Sequence, residues 1–352
     1  MAQFQPDQLQ LNQPLTHLVL SRTPLRLSLG GGGTDLPHFY KKHGSFIITS
    51  AIQKYIYVIA KPWFEEGIRV SYSKTEHASC ADEIDHPVVR EAIKLFGPKK
   101  HIEIASMADI PARTGMGSSA SFTVGLINTL FALNRKSIDA HSLAEQAFNI
   151  QSNILSEIGG KQDQYAAAFG GIVGLTIERS GNVLVRELQL DPEIVEELED
   201  NLMCFSTGIK RESSDIHSSY VKPATTKDDQ ELEVEDETED VLLEIKQISL
   251  SIAKALRVGS FAEFGWLLHR HWLAKRSLSN SISNSLIDMW YTKGLNAGAL
   301  GGKIMGAGGG GFLVFYCENG RRKDLRRAMC NEGLREVKLR FEFAGSKIVA
   351  NM

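Results

Sequence analysis

The chain has 352 residues, enough for two domains, and its 43% hydrophobic and 23% charged residues give the profile of an ordinary globular protein. A formal net charge of -3 removes any bulk electrostatic reason to expect nucleic acid or an acidic membrane surface as partner, so an anionic substrate needs a local basic pocket. Cys80, Cys204, Cys317 and Cys330 show no CxxC or metal-ligand spacing and read as reduced, mostly buried thiols of a cytoplasmic protein.

Residues 1–17 read as a Gln-rich polar extension with neither a signal peptide nor a membrane span. From Leu18 the pattern turns to strands. Residues 45–60 are rich in Ile, Tyr and Val, 67–72 are a further candidate, and 101–106 alternate apolar and polar. A helix is expected over 119–133, and a second, capped by Ser137 or Asp139, to about Glu157, where Gly159 and Gly160 stop it. Residues 163–169 make a short helix, and 172–177 with 183–188 flank a Ser180-Gly181-Asn182 hairpin turn. Residues 222–240 are acidic and almost free of large apolar groups, which predicts a mobile loop or a plain solvated segment. Helical spacing resumes over 241–256, 261–276 and 283–296. A glycine-rich loop, a strand over 312–317, a helix near 321–331 and a last strand over 337–343 complete the chain. Strands and helices without regular βαβ alternation predict an α+β protein of two lobes.

Three glycine-rich motifs carry the chemistry. In TPLRLSLGGGGTD, Thr23 to Asp35, four consecutive glycines allow a ligand close to the backbone, or make a plain turn. Asp35 can accept hydrogen bonds from sugar hydroxyls, and Arg26 can face a phosphate bidentately. In PARTGMGSSA, Pro111 to Ala120, small residues precede a helix whose free N–H groups and dipole favour phosphate oxygens. Ser118 and Ser119 add hydroxyls; a Ser-capped helix with nothing bound is the bland alternative. No GxxxxGK[ST] is present, so this is not a Walker A loop. In GKIMGAGGGGF, Gly302 to Phe312, a formal GxGxxG is followed by a strand rather than a helix, which argues against a dinucleotide fold. The loop instead packs closely on a ligand or another backbone. Asp163, in GGKQDQY, would alone read as a helix cap. His269 and His271 lack an acidic or Cys partner at metal spacing and read as structural, and Trp266, Trp272 and Trp290 as packing residues.

These motifs in this order resemble the GHMP kinases, over about Leu20 to Ala344. Within that superfamily TPLRLSLGGGGTD, GGKQDQYAAAFGG, STGIKRESSDI and GGKIMGAGGGGFLVFY look most like the bacterial D-glycero-D-manno-heptose 7-phosphate kinases, with the fucose kinase domain next. The resemblance implies an N-terminal domain like ribosomal protein S5 domain 2, over 18–190, and a ferredoxin-like C-terminal domain, over 191–352. It implies ATP with Mg²⁺, a sugar or sugar phosphate as acceptor, and no nucleic-acid or membrane partner; a homodimer is one assembly open to such a chain. It places Pro111, Arg113, Gly115, Met116, Gly117, Ser118, Ser119 and Ala120 on ATP, Ser119 and Asp163 on Mg²⁺, Asp163 as base and Arg26 as its companion. Gly32, Gly33, Thr34, Asp35, Gly308 and Gly309 fall to the substrate. Lys210 and Arg211 are candidates for a substrate phosphate, or else a solvated basic pair. Where related kinases often carry a Mg²⁺-binding Glu this chain has Gln151. Either ATP, Ser119 and Asp163 hold the ion, or Glu157 or Glu145 serves. Rival readings are a kinase for fucose, another hexose or an isoprenoid alcohol, a decarboxylase of that fold, or a non-catalytic sugar and ATP sensor.

Overall fold

The computed structural model describes residues 17–98, 100–210, 216, 218–219, 222–223, 232–233 and 236–352. The first lobe runs β1 (Val19–Gly30), α1 (Pro37–His43), β2 (Ser45–Pro62), β3 (Ile68–Ser71), β4 (Thr75–Ala78), α2 (Pro87–Phe96), β5 (Ile102–Ala108), α3 (Ser118–Leu133), α4 (Ala140–Phe148), α5 (Gln162–Phe169), β6 (Ile172–Ile177) and β7 (Val183–Glu187). The second runs α6 (Pro192–Asn201), β8 (Leu202–Ser206), the short β9 (Lys222–Pro223) and β10 (Leu232–Glu233), α7 (Asp236–Arg257), α8 (Phe261–Ser277), α9 (Ser285–Asn296), β11 (Gly301–Ile304), β12 (Phe312–Tyr316), α10 (Arg322–Asn331) and β13 (Arg335–Val337). The last strand, β14 (Lys347–Asn351), returns to β1, so the chain's final residues belong to the first sheet.

β2 organises that sheet. Of its 18 residues, those from Ile48 to Ala60 pair with β1 along one edge. The other edge is shared, by β6 over Ser45–Ser50 and by β5 over Ile56–Pro62. The second sheet has the order β11-β12-β8-β13. α7 and α8 pack on each other and join the lobes, α7 against β1 and β2 and α8 against β11 and β12. With both layers α+β, the expected fold class holds.

Several elements differ from the sequence pattern, each for a local reason. α1, α2 and α6 start on Pro37, Pro87 and Pro192, each at a first helical position where a missing N–H is harmless. β8 reads LMCFS and is buried nearly throughout, so it shows no alternation to detect. Asp139, not Ser137, caps α4, accepting the Ser142 N–H at 2.9 Å. That helix does not continue regularly to Glu157. It ends at Phe148 and passes into a π-helical turn over Asn149–Ile154. The last strand lies at Lys347–Asn351 rather than 337–343. Of the acidic stretch 222–240, residues 236–240 open α7, where the carboxylates of Glu237, Glu239 and Asp240 suit the helix dipole; Glu239 meets His43 at 2.6 Å and Lys42 at 3.1 Å. The remaining residues of that stretch, apart from the β9–β10 pair, lie outside the described residues, as do residues 1–16. All four cysteines are free, but only Cys204 and Cys317 are buried.

α8 holds the lobes in register through its buried face. Trp272 is fully enclosed, with its ring 5.8 Å from Tyr291. Trp290 is also buried, whereas Trp266 is half exposed with the Arg270 guanidinium 5.1 Å over its ring. Trp272→Ala is expected to destabilise the protein by about 3–5 kcal/mol, read from chemical denaturation with an unchanged m-value.

Candidate active site

Arg26 on β1 leaves only 5% of its side chain exposed, so its charge must be met inside the protein. Nε and Nη2 donate to the two oxygens of Asp163, each at 2.7 Å, and Nη1 donates to the Gly115 carbonyl at 2.6 Å. One guanidinium thus ties the sheet to the first turn of α5 and to the loop before α3. Asp163 keeps 31% of its side chain exposed, so its carboxylate reaches open space while Arg26 stays behind it.

That loop leads into an uncapped helix. Gly117, at φ +78°, is the N-cap of α3, and no side chain caps the 16-residue helix. Ser118 is its first residue, and the buried Ser118 Oγ has no partner among the described residues. The Ser-capped alternative is therefore not what forms. The first N–H groups of α3 are left for an anion. The third glycine motif supports this loop from beneath. A Cβ on Gly115 would sit 2.4 Å from the Met305 carbonyl oxygen, and one on Gly311 2.2 Å from that of Thr114. The two loops are clasped backbone to backbone, which only glycine permits.

Two cavities meet at this point. The larger is lined by Arg113, Gly115, Gly117, Ser118 and Ser119 together with Ile56, Tyr72, His86, Met107 and Phe122. The Tyr72 ring lies edge-on to His86 at 4.8 Å and the Phe122 ring tilted to it at 5.2 Å, giving this cavity an aromatic wall. The second cavity is lined by Gly32, Gly33, Asp35, Gln162, Lys275, Gly306 and Ala307, among others. Arg26, Ser119, Glu157, Ile158 and Asp163 line both.

Asp35 is buried in the second cavity, its oxygens accepting from Gly33 N–H at 3.1 Å and Gln162 N–H at 3.0 Å. Burial pushes its carboxyl above the usual range, the Gln162 N–H pulls it back, and the Asp163 charge raises it again. Gln162 itself is buried, with Nε2 unpartnered among the described residues. On the cationic side, burial drives the Lys303 ammonium well below its ordinary value, helped by the charges of Lys275 and Arg26.

Not every expected residue lines a cavity in the expected way. Met116 is a core side chain whose carbonyl accepts the Arg26 N–H at 3.0 Å. Pro111 faces a third cavity and accepts from Thr114 Oγ1 at 2.9 Å, while Ala120 lines the Asp35 cavity rather than the phosphate cradle. Thr34 is fully buried and donates to the Gly31 carbonyl at 2.7 Å. Gly308 and Gly309 pack against Ile282, and it is Gly306 and Ala307 that reach the cavity. Lys210 lies in the third cavity, beside Lys54 and Arg335, and away from Asp35. Arg211 lies outside the described residues. Among the described residues, the cation on the Asp35 cavity besides Arg26 is Lys275, which donates to the Gly306 carbonyl. No sequence signal marks Lys275, because a single basic residue within a helix carries no motif. The apolar wall of Ile56, Tyr72, His86, Met107 and Phe122 carries no motif either, because its members come from separate elements and segments. His269 meets Tyr291 Oη at 2.8 Å, and His271 Nε2 accepts the Gly31 N–H at 3.1 Å, both structural contacts.

Among the described residues no three His, Cys, Asp or Glu side chains gather as a metal cage. The junction of the cavities nevertheless offers oxygen donors suited to a hard cation that also binds nucleotide phosphates: the Ser119 hydroxyl and the Asp163 and Glu157 carboxylates. Gln151 lies beside them. Glu145 does not, being bound to Lys161 at 2.7 Å and to Tyr165 Oη at 2.5 Å.

An uncapped helix over an aromatic-walled cavity, opening onto a carboxylate held by arginine, is the arrangement that nucleotide-dependent group transfer needs. Residues 87–171 match the GHMP kinases N terminal domain, and residues 252–335 the GHMP kinases C terminal domain. The chain carries both the N- and the C-terminal domain of the GHMP kinases. It is 28% identical to the D-glycero-alpha-D-manno-heptose 7-phosphate kinase of Campylobacter jejuni, over 89% of this chain and 94% of the relative. It is 26% identical to the L-fucokinase/L-fucose-1-P guanylyltransferase of Bacteroides fragilis, over 92% of this chain and 37% of that longer protein. A crystal structure of a D-glycero-D-manno-heptose 1-phosphate kinase from Bacteroides thetaiotaomicron shares the fold with a TM-score of 0.76, at 23% identity, covering 94% of this chain and 99% of that one. This GHMP kinase is a phosphotransferase with a sugar hydroxyl as acceptor. No helix among the described residues is long and apolar enough to cross a membrane.

The raised carboxyl of Asp35 has a consequence for stability. Between the usual carboxylate range and its raised value, the folded chain holds a proton that the unfolded chain has released, so stability falls as pH rises through that window. Asp35→Asn removes this contribution. The change in Tm between about pH 4 and about pH 7 is expected to shift toward higher relative stability at the upper pH in the variant, as read by calorimetry at matched ionic strength.

Proposed function

We propose that this chain transfers the γ-phosphate of ATP to the anomeric hydroxyl of a heptose 7-phosphate, in the cytoplasm, on a route to nucleotide-activated heptose for surface polysaccharide. The observation that carries the reading is that two cavities share one wall, and that wall is the Arg26–Asp163 pair with Ser119. ATP is assigned to the larger cavity, with its base against Tyr72, His86 and Phe122 and its phosphates at Gly115 to Ser119. The sugar is assigned to the cavity of Gly32, Gly33, Asp35 and Gln162, with Asp35 and the Gln162 amide as partners for its oxygens.

Asp163 orients the acceptor hydroxyl and takes its proton. Arg26 fixes the plane of that carboxylate and its charge balances the phosphoryl group as it passes between the cavities. An anomeric hydroxyl is more acidic than an ordinary alcohol, which eases the demand on the base. Positioning and electrostatics then supply most of the rate, since phosphoryl transfer asks for little covalent help. A Mg²⁺ ion bound with ATP would offset the charge of the phosphates; Ser119 and a carboxylate at the junction of the cavities, Asp163 or Glu157, would hold it. The 28% identity to a heptose 7-phosphate kinase over nearly the whole chain supports the acceptor. With Lys210 in another cavity, Lys275 is the described cation placed to meet a phosphate on the sugar. Fucose is the second acceptor to test, because the fucokinase relative matches over most of this chain.

ADP release with Mg²⁺-ATP is expected on D-glycero-D-manno-heptose 7-phosphate and not on fucose, galactose, mannose or mevalonate. Turnover on a free sugar would keep the mechanism and discard the heptose phosphate; ATP binding without any turnover would favour a sensor. Asp163→Asn is expected to lower kcat by about 10²–10⁴ with ATP affinity nearly unchanged. Near-normal kcat in that variant would remove Asp163 as the base.

A further inference from the structure

The turn between α4 and α5 has an unusual path. Over Asn149–Ile154 the backbone is π-helical, and the Leu155 N–H donates to the Ile150 carbonyl at 3.0 Å, five residues back. Such turns recur at functional sites because the extra residue shifts the next side chains out of regular helical spacing. Ser156 then adopts φ +56°, rarely taken by a residue with a side chain. Together they fold Glu157 back onto Gln151, and the Glu157 N–H donates to the Gln151 carbonyl at 2.9 Å.

The side chains meet as well. Gln151 Nε2 lies 3.0 Å from Ser119 Oγ and 3.2 Å from Glu157 Oε2. Only the NH₂ end of an amide can face a carboxylate oxygen, so Gln151 turns donors toward the junction of the cavities. A group presenting N–H cannot ligate a cation. Glu157 does present oxygens there, is exposed, and lines both cavities together with Ser119 and Asp163. The unpartnered, buried Ser118 Oγ next to it shows that this cradle is built for a ligand's oxygens.

We infer that Glu157, delivered by the π-turn, is the carboxylate that holds the nucleotide's divalent cation in this chain, and that Gln151 is a positioning residue that orients Glu157 and Ser119. The inference rests on the kinase reading for the presence of Mg²⁺-nucleotide. Its chemistry suits Mg²⁺, which keeps several waters and takes one or two carboxylates together with phosphate oxygens.

The test reads binding rather than turnover. Affinity for a non-hydrolysable ATP analogue is measured by calorimetry with Mg²⁺ and with EDTA, and the ratio of the two dissociation constants reports coupling between cation and nucleotide. Glu157→Gln is expected to lower that ratio by at least about tenfold, with affinity in EDTA and Tm unchanged. The double variant Gln151→Glu, Glu157→Gln is expected to recover most of it, since a carboxylate is restored one turn away. A wild-type ratio in Glu157→Gln overturns the inference, and so does failure of the double variant to recover while it remains folded. Wild-type protein that turns over no sugar but shows the ratio, and loses it in Glu157→Gln, supports the inference while overturning the acceptor reading.

Discussion

A buried guanidinium with three acceptors sets the geometry on which the rest of the site depends. Arg26 cannot be left uncompensated inside the protein; removing one partner of such a pair typically costs about 3–5 kcal/mol. It has two carboxylate oxygens on α5 and one carbonyl in the loop before α3. Those elements therefore cannot move independently of β1. Asp163, the loop before α3 and the sheet are fixed relative to one another by one planar, forked side chain. Lysine, with a single point charge, has no equivalent geometry.

The glycines support that arrangement in two different ways. Those of the first motif open space, so that Gly32 and Gly33 bring backbone to the wall of the Asp35 cavity. Those of the third motif close it, because Gly306 and Gly311 press against Gly115 and Thr114 where no side chain fits. The same residue type thus serves as a binding surface in one loop and as a clasp in the other. Because the clasp joins β11–β12 of the second sheet to the loop before α3, the shape of that loop depends on both lobes being assembled.

Much of this was legible in the sequence because it is local. The long strands, the helix after Ser118 and a cap at Ser137 or Asp139 come from runs and caps, whereas Arg26 as the companion of Asp163, 137 residues away, comes only from the resemblance. The illegible part depends on long-range placement. Nothing local marks Lys275 as a cavity residue or Lys210 as lying elsewhere, since both are ordinary basic residues until the chain is folded. The aromatic wall combines Tyr72, His86 and Phe122 from separate segments. The last strand lies ten residues beyond its expected start because β13 ends early and the intervening segment crosses to the other lobe. Glu157 and Glu145 both stand open in the sequence as alternatives to Ser119 and Asp163, and only the π-turn and the commitment of Glu145 to Lys161 separate the two glutamates.

The return of the final strand to β1 bears on how the protein is made. β1 carries Arg26, yet its outer edge is covered only when Lys347–Asn351 pair with it, and the main-chain bonds between Leu18 and Met352 complete the seam. During synthesis from the N-terminus, the edge of that strand stays open until nearly all of the chain has left the ribosome. An uncovered edge is a template for pairing with other chains, and closing it requires contacts between opposite ends of the sequence, the kind that form slowly. The vulnerable period for this enzyme therefore lasts until residues 347–351 are made, and chains cut short of them should be prone to aggregate.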